Sequence, residues 1–191
     1  MSDPSDKANL RATLRRRRRA LAGQAPGAAL AAADHAPVAE LARLGWFSSY
    51  HAMGTELDPG PLALRLIAAG GRLAMPATLG ADRPLVFRQV RAGDIAVPDA
   101  FGVPSPPPEA PEATPRLVIC PLLAFDRAGG RLGQGGGHYD RTLAVLRAQG
   151  PVFVLGLAYA GQEVAALDLE PHDQRLDAIL TETGYTRFRK D

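Results

Sequence analysis

Leu117-Val118-Ile119-Cys120-Pro121-Leu122-Leu123 is an unbroken apolar run, and the chain then passes into Arg131-Leu132-Gly133-Gln134-Gly135-Gly136-Gly137-His138-Tyr139-Asp140-Arg141. An apolar run of strand length has no polar face to give to solvent. It predicts a central strand covered on both sides, as in parallel sheets with helices on each face. The glycines lie between that strand and a helix expected from about Asp140 to Ala148. In open α/β sheets this is where ligands bind, outside the carboxyl ends of the strands.

The flanks support the same architecture. Val152 to Leu157 reads as a second buried strand, and Ala178 to Thr181 as a short last one. Toward the amino terminus, strands are expected at Trp46 to His51, at Arg72 to Met75 before Pro76, and at Leu85 to Val90. Helices are expected from Lys7 to about Ala22 and from Leu62 to Ala69. In the first, Ser5 or Asp6 is the expected cap, Leu10, Leu14 and Leu21 the apolar stripe, and Gly23 the stop; Gly70 and Gly71 stop the other. A further helix over Ala28 to Leu44 should break or bend near Pro37. Met53 to Gly60 reads as loop, and Pro98 to Pro115, with seven prolines, as an extended surface flap. Strands alternating with helices predict one α/β/α layered domain on a mostly parallel, Rossmann-like open sheet. With 191 residues, 46% of them apolar, the chain can bury a single core of that kind.

Composition narrows the function. The net charge is +2 and the pI about 9.0, a mild basic excess that suits an anionic ligand such as a nucleotide or a polyglutamate tail. Arg15 to Arg19 form a block of arginines, but aromatic residues are only 6% of the chain and no nucleic-acid-reading motif accompanies the block. A solvated helix face is the expected role, and nucleic acid is not an expected partner. The stretch Ala20 to Leu44 that follows contains Gln24, Pro26, Asp34, His35, Pro37, Glu40 and Arg43. No apolar run approaches the roughly 18 residues of a membrane span, so neither an export signal nor a membrane is expected. Cys120 stands alone, which excludes an intrachain disulfide and a Cys-based zinc site. It is expected as a small buried hydrophobe in a reduced cytoplasmic compartment.

Consecutive glycines let backbone N–H groups converge on one point and approach a phosphate closely, and a helix amino terminus beyond them adds partial positive charge. Two known phosphate loops do not fit. A G-x-G-x-x-G pattern from Gly133 would need glycine where His138 stands, and the loop has no lysine for a Walker sequence. A tight turn would use the same glycines. Arg131 and Arg141 flank the loop and are candidates to neutralise phosphate charge. Asp140 has two open roles, as a carboxylate ligand of a divalent cation or as a helix N-cap.

Taken together, Ala124-Phe125-Asp126, Arg131-Leu132-Gly133, Gly135, Gly137 and Tyr139-Asp140-Arg141 resemble the signature of the 5-formyltetrahydrofolate cyclo-ligase family. The likeness extends in order along nearly the whole chain. Lys7 and Arg11 resemble a Lys and an Arg that open the family's first helix and contact ATP; four apart, they share a helix face. Glu56 resembles a folate-contacting glutamate after the first strand, with Pro59 where relatives carry threonine, and His51 sits where a substrate-contacting residue of varying identity lies. Met75-Pro76 resembles the family's strand-ending proline. Phe101-Gly102-Val103-Pro104 resembles a loop packing on the pterin, although Phe101 equally suits a core position. His172-Asp173, Leu176-Asp177 and Thr181-Glu182 are similar to the closing motif, with Asp173 either on the magnesium side or a turn residue after Pro171. His138 departs from a usual tyrosine, Gln134 from an aromatic or basic residue, and Cys120-Pro121-Leu122-Leu123 from a tighter Pro-Gly pair.

The resemblance implies an ATP- and Mg²⁺-dependent closure of 5-formyltetrahydrofolate to 5,10-methenyltetrahydrofolate; a monomer is expected, though nothing in the sequence reads out the oligomeric state. The formyl oxygen attacks the γ-phosphate, giving an N5-iminium phosphate and ADP; N10 then attacks the activated carbon, and phosphate leaves. By the same resemblance Arg131 and Lys7 are the catalytic candidates. The ATP candidates are Lys7, Arg11, Arg131, Leu132, Gly133, Gln134, Gly135, Gly136, Gly137, His138 and Tyr139. The folate candidates are His51, Glu56, Phe101, Gln134, His138 and Tyr139, and the metal candidates are Asp140 and Asp173.

Overall fold

The computed structural model describes residues 4–91 and 93–188. Its main sheet is seven-stranded, in the order β11-β10-β9-β6-β1-β2-β3. The strands are β1 (Trp46–Ser48), β2 (Arg72–Ala77), β3 (Val86–Gln89), β6 (Leu117–Pro121), β9 (Phe153–Leu157), β10 (Ala178–Thr181) and β11 (Gly184–Arg187). The five inner strands are parallel, and β3 and β11 are antiparallel edges. Helices α2 (Ala28–His35), α3 (Val38–Ala42) and α4 (Gly60–Ala68) cover one face, and α5 (His138–Gln149) covers the other.

The period-two rule of strands divides the central run between these layers. Leu117 and Ile119 of β6 enter the cluster under α2 to α4, whereas Val118 and Cys120 enter the one under α5. Leu155 and Leu157 oppose Val154 in the same way, and Ala178 and Leu180 oppose Ile179. Leu117 to Cys120 are all 0% exposed, as a strand buried on both faces requires.

The chain leaves β1 through α4 to β2 on one side, then returns to place β6, β9 and β10 on the other. The order therefore reverses between β1 and β6. In doubly wound sheets a crevice opens at that reversal, at the carboxyl ends of the two strands.

Several boundaries differ from expectation. Helix α1 (Pro4–Gln24) runs through Gly23 and ends just before Ala25 and Pro26, because one glycine in a last turn weakens a helix while a proline beyond it ends it. Ser5 and Asp6 fall inside its first turn, not before it; their side chains lie outside the described ones. Leu14 is buried, but Leu10 is 44% exposed. The expected Ala28 to Leu44 helix is two, α2 and α3, parted at Ala36-Pro37. Strand β1 stops at Ser48, short of His51.

Strand β2 continues through Pro76, which was expected to end it. Pro76 stands opposite Phe87, whose carbonyl is taken on its outer side by the Ala113 N–H at 2.9 Å, so the proline has no ladder bond to supply there. The Gln89 N–H likewise turns outward to the Pro111 carbonyl at 2.8 Å. The proline-rich segment thus shields the β3 edge from pairing with other chains. It is not wholly extended loop: β4 (Val97–Pro98) and β5 (Pro104–Ser105) form a small hairpin. A second small hairpin, β7 (Ala124–Phe125) with β8 (Arg131–Leu132), follows β6.

Candidate active site

A cavity of about 950 Å³ opens at the reversal point. The residues that resemble the family's catalytic, ATP, folate and metal residues all line it: Lys7, Arg11, His51, Glu56, Phe101, the whole run Arg131 to Asp140, and Asp173. Those residues come from five separate parts of the chain, and the fold brings them together.

The glycine loop is positioned from both ends. Ahead of it, the turn of the β7–β8 hairpin is closed by Asp126. Its Oδ1 accepts the Ala128 and Gly130 N–H groups at 2.9 and 2.8 Å, and its Oδ2 accepts the Leu167 N–H at 3.0 Å. A side chain at Gly130 would meet Asp126 at 2.7 Å, so glycine is needed there. This turn delivers Arg131 to the cavity wall with its side chain 4% exposed. Behind the loop, α5 begins at His138 with Gly137 as N-cap in the left-handed region, φ +66°.

Asp140 is therefore not the cap but a first-turn residue. Its Oδ1 accepts an Arg131 guanidinium N–H at 2.6 Å and the Gln174 N–H at 2.9 Å. The Arg131 Nε is buried without a hydrogen-bond partner among the described residues. Arg141, expected to neutralise phosphate, does not line the cavity. It donates to the carbonyls of Gly136 at 2.7 Å and Ala81 at 2.6 Å, clasping the loop from outside.

Helix α1 forms the opposite wall. Arg11 Nε donates to the Gly133 carbonyl at 3.3 Å, and Lys7 pairs with Glu170. That hydrogen bond raises the Lys7 pKa and lowers the Glu170 pKa. Asp173 accepts the Glu170 N–H at 2.7 Å, so it is a turn residue that also faces the cavity. Among the described residues no group of three or more His, Cys, Asp and Glu gathers as a complete metal cage.

Two arginines of α1 escaped the sequence reading, which took the 15–19 block as a solvated face. Arg15 donates to the Gln134 side-chain oxygen at 2.9 Å, and Arg18 pairs with Glu56 at 3.2 Å with both side chains 6% exposed. Helical spacing was the available signal. Lys7, Arg11, Arg15 and Arg18 step by four, four and three along one face.

On the folate-candidate side, Tyr50 donates its hydroxyl to the Leu57 carbonyl, and burial first, then the Glu56 charge, pushes its pKa well up. His51 is exposed at the cavity mouth. His138 Nδ1 lies 3.2 Å from the Arg83 carbonyl, and its ring meets Phe101 edge-on at 5.8 Å. Phe101 is 57% exposed, which removes the core alternative. Its hairpin is held by Asp99, which accepts N–H groups from Thr78, Phe101 and Val103. Partial burial would raise the Asp99 pKa, but these bonds outweigh it and the net shift is downward.

The pattern of the 5-formyltetrahydrofolate cyclo-ligase family matches residues 3–182. The chain belongs to that family. A 5-formyltetrahydrofolate cyclo-ligase of Mycolicibacterium smegmatis is 32% identical over 157 residues, 72% of this chain and 78% of that protein. The Escherichia coli K12 enzyme of that name is 33% identical over 132 residues, 66% of this chain and 71% of that protein. The solution structure of a 5,10-methenyltetrahydrofolate synthetase from Aquifex aeolicus aligns with a TM-score of 0.73 at 25% identity, over 97% of this chain and 94% of that one. The layered, mostly parallel sheet expected from the sequence is the cyclo-ligase fold, and the chain is a ligase. Among the described residues no helix is long and apolar enough to cross a membrane.

Proposed function

We propose that this cyclo-ligase closes 5-formyltetrahydrofolate to 5,10-methenyltetrahydrofolate with ATP and Mg²⁺, releasing ADP and phosphate. One observation carries the reading: all the residues that resemble the family's site line a single cavity at the reversal point of the sheet. The route is the one implied by the family, through an N5-iminium phosphate. Such chemistry asks the protein for in-line positioning and for offsetting of phosphate charge.

The phosphates belong against the loop from Leu132 to Tyr139, where backbone N–H groups and the α5 amino terminus favour anions. Arg131 has a buried donor without a partner among the described residues, and it stands with Lys7 and Arg11 as the cationic side of the site. The departures at Gln134 and His138 leave the backbone of the loop intact. Their side chains are held by Arg15 and by contacts to Arg83 and Phe101. The folate belongs against Glu56, His51 and Phe101, with Gln134, His138 and Tyr139 at the join between the two halves. There Glu56 orients the formyl-bearing face of the pterin.

Mg²⁺ usually keeps several waters and takes one or two carboxylates beside substrate phosphates, so two carboxylates on one wall suit it better than a full protein cage would. Asp140, with both its hydrogen bonds on Oδ1, and Asp173 are the residues that would hold it. The ion would supply charge neutralisation on the phosphates. All these side chains come from one chain, so a monomer suffices, and the lone buried Cys120 suits the cytoplasm.

The test is the rise of the methenyl-folate absorbance band on mixing protein, 5-formyltetrahydrofolate, ATP and Mg²⁺. A rise that needs both ATP and metal supports the reading. ATP binding without a rise, across mono- and polyglutamated folates, means that the scaffold serves another substrate.

A further inference from the structure

We propose that Arg18 is a positioning residue: from beneath the cavity it holds the Glu56 carboxylate in place, and so sets folate affinity without touching folate. The inference rests on the reading of Glu56 as a folate contact. Arg18 is 5% exposed, whereas Arg15, Arg16, Arg17 and Arg19 around it are exposed, and it is absent from the cavity wall that Glu56 lines.

Its guanidinium joins three elements where they meet at the reversal point. NH1 donates to Glu56 Oε1 at 3.2 Å and reaches the Leu122 carbonyl, just past β6, at 3.5 Å. Nε reaches Thr55 Oγ1 at 3.4 Å. After Glu56 the loop is anchored by buried Leu57, whose carbonyl takes the Tyr50 hydroxyl, but the stretch before Glu56 has fewer holds. Residues 51–54 are exposed, Gly54 sits at φ +62°, and the turn is closed by Glu56 itself, whose Oε2 accepts the Met53 N–H at 3.0 Å. The Gln134 amide adds only a 3.5 Å contact from the glycine loop.

A nearly buried carboxylate without a cation is costly, and it relaxes by turning toward water. Here that movement would carry Glu56 out of the cavity and loosen Met53 with it. Lysine would keep the charge but not the planar fork that reaches Thr55 and Leu122 together. The ATP-side residues Lys7 and Arg11 lie two to three turns away along α1 and share no partner with Arg18. The effect should therefore fall on one substrate.

The experiment compares Arg18→Met, Arg18→Lys, Glu56→Gln and the double variant Arg18→Met/Glu56→Gln. KM for 5-formyltetrahydrofolate, KM for ATP and amide exchange at Met53 in the ligand-free protein are measured. Arg18→Met is expected to raise the folate KM about tenfold while the ATP KM stays within about threefold, with Arg18→Lys between it and wild type. Adding Glu56→Gln to Arg18→Met should cost less than about threefold more, because both remove one interaction. Met53 exchange should quicken in Arg18→Met and in Glu56→Gln, and less in Arg18→Lys.

Equal rises in both KM values, additive effects, or unchanged Met53 exchange would overturn the proposal. So would a Glu56→Gln variant with wild-type folate KM. If wild-type protein makes no methenyl-folate, the proposed function fails by itself, and the exchange measurement still decides whether Arg18 holds the loop. Where Arg18→Met does not fold, Arg18→Lys carries the same readouts.

Discussion

The floor and the rim of the cavity use the same pairing of a cation with a carboxylate, in opposite surroundings. On the floor, Arg18–Glu56 is shut away with both side chains 6% exposed, and Arg131–Asp140 has its arginine at 4%. On the rim, Lys7–Glu170 joins groups that are 21% and 49% exposed. A buried charge that loses its partner stays buried and uncompensated, whereas an exposed one is taken up by water. The floor pairs are therefore fixtures of the fold. The rim pair is exchangeable, and on the function proposed above an arriving phosphate would replace Glu170 on Lys7.

The largest break in this contrast should come from Arg131→Ala. It strands Asp140 and removes the buried cation from the glycine loop. Turnover at saturating folate is expected to fall about 100-fold or more, and unfolding in urea should show a loss on the order of 3 kcal/mol. Unchanged turnover would remove Arg131 from the site.

Gly137→Ala comes next. The position has φ +66°, and an added Cβ would lie 2.5 Å from an Arg141 nitrogen. The backbone alone costs about 1 kcal/mol or more. Releasing the Arg141 clasp should also raise the ATP KM severalfold. Gly23→Ala is the control, since nothing lies within 4 Å of its Cβ and it sits in a helix; it should stabilise by about 0.5–1 kcal/mol.

On the rim, Glu170→Gln should leave thermal stability unchanged and lower the ATP KM about two- to threefold, as a screened surface pair predicts. A raised KM would mean that Glu170 aims Lys7 instead of competing for it. Linkage sets the pH window. Glu170 is held below its ordinary 4.5, so its share of the pairing is full above that pH and disappears as pH falls through the lowered value. Lys7 is held above 10.5, so its share is full below that pH and disappears as pH rises through the raised value. Between those limits the pair is fully formed, and the ATP KM should show no pH dependence from it.

The smallest expected effect is none. Burial pushes the Cys120 thiol up to about 12, and the residue is 0% exposed behind the floor. An aromatic disulfide at mildly alkaline pH should leave the native protein unmodified and react only on unfolding. Reaction of the folded protein would show that the floor opens.

Much of this was legible because it depends on local pattern. The 117–123 run implied a doubly covered strand, and the glycines behind it marked the ligand end of that strand. The long signature from Ala124 to Arg141 carried the family. Boundaries were less legible where partners decide them. Pro76 stays in β2 only because Phe87 turns its carbonyl away, and the proline-rich segment became an edge cover because β3 had outward groups to satisfy. The 15–19 arginines looked alike in sequence, yet one face of α1 lies against the β1 loop and the glycine loop while the rest meets water.

The sequence by itself determined the layered α/β class, the ligand end of the sheet, the family, and the residue types that face the cavity, because period, composition and a contiguous motif carry those properties. Only the tertiary structure decided which like residues are equivalent. Arg141 clasps from outside while Arg131 lines the wall, Asp140 pairs and does not cap, and Arg18 is buried beside exposed Arg17 and Arg19. The physical reason is that desolvation and pairing of a charge depend on the element packed against it, and that neighbour is distant in the chain.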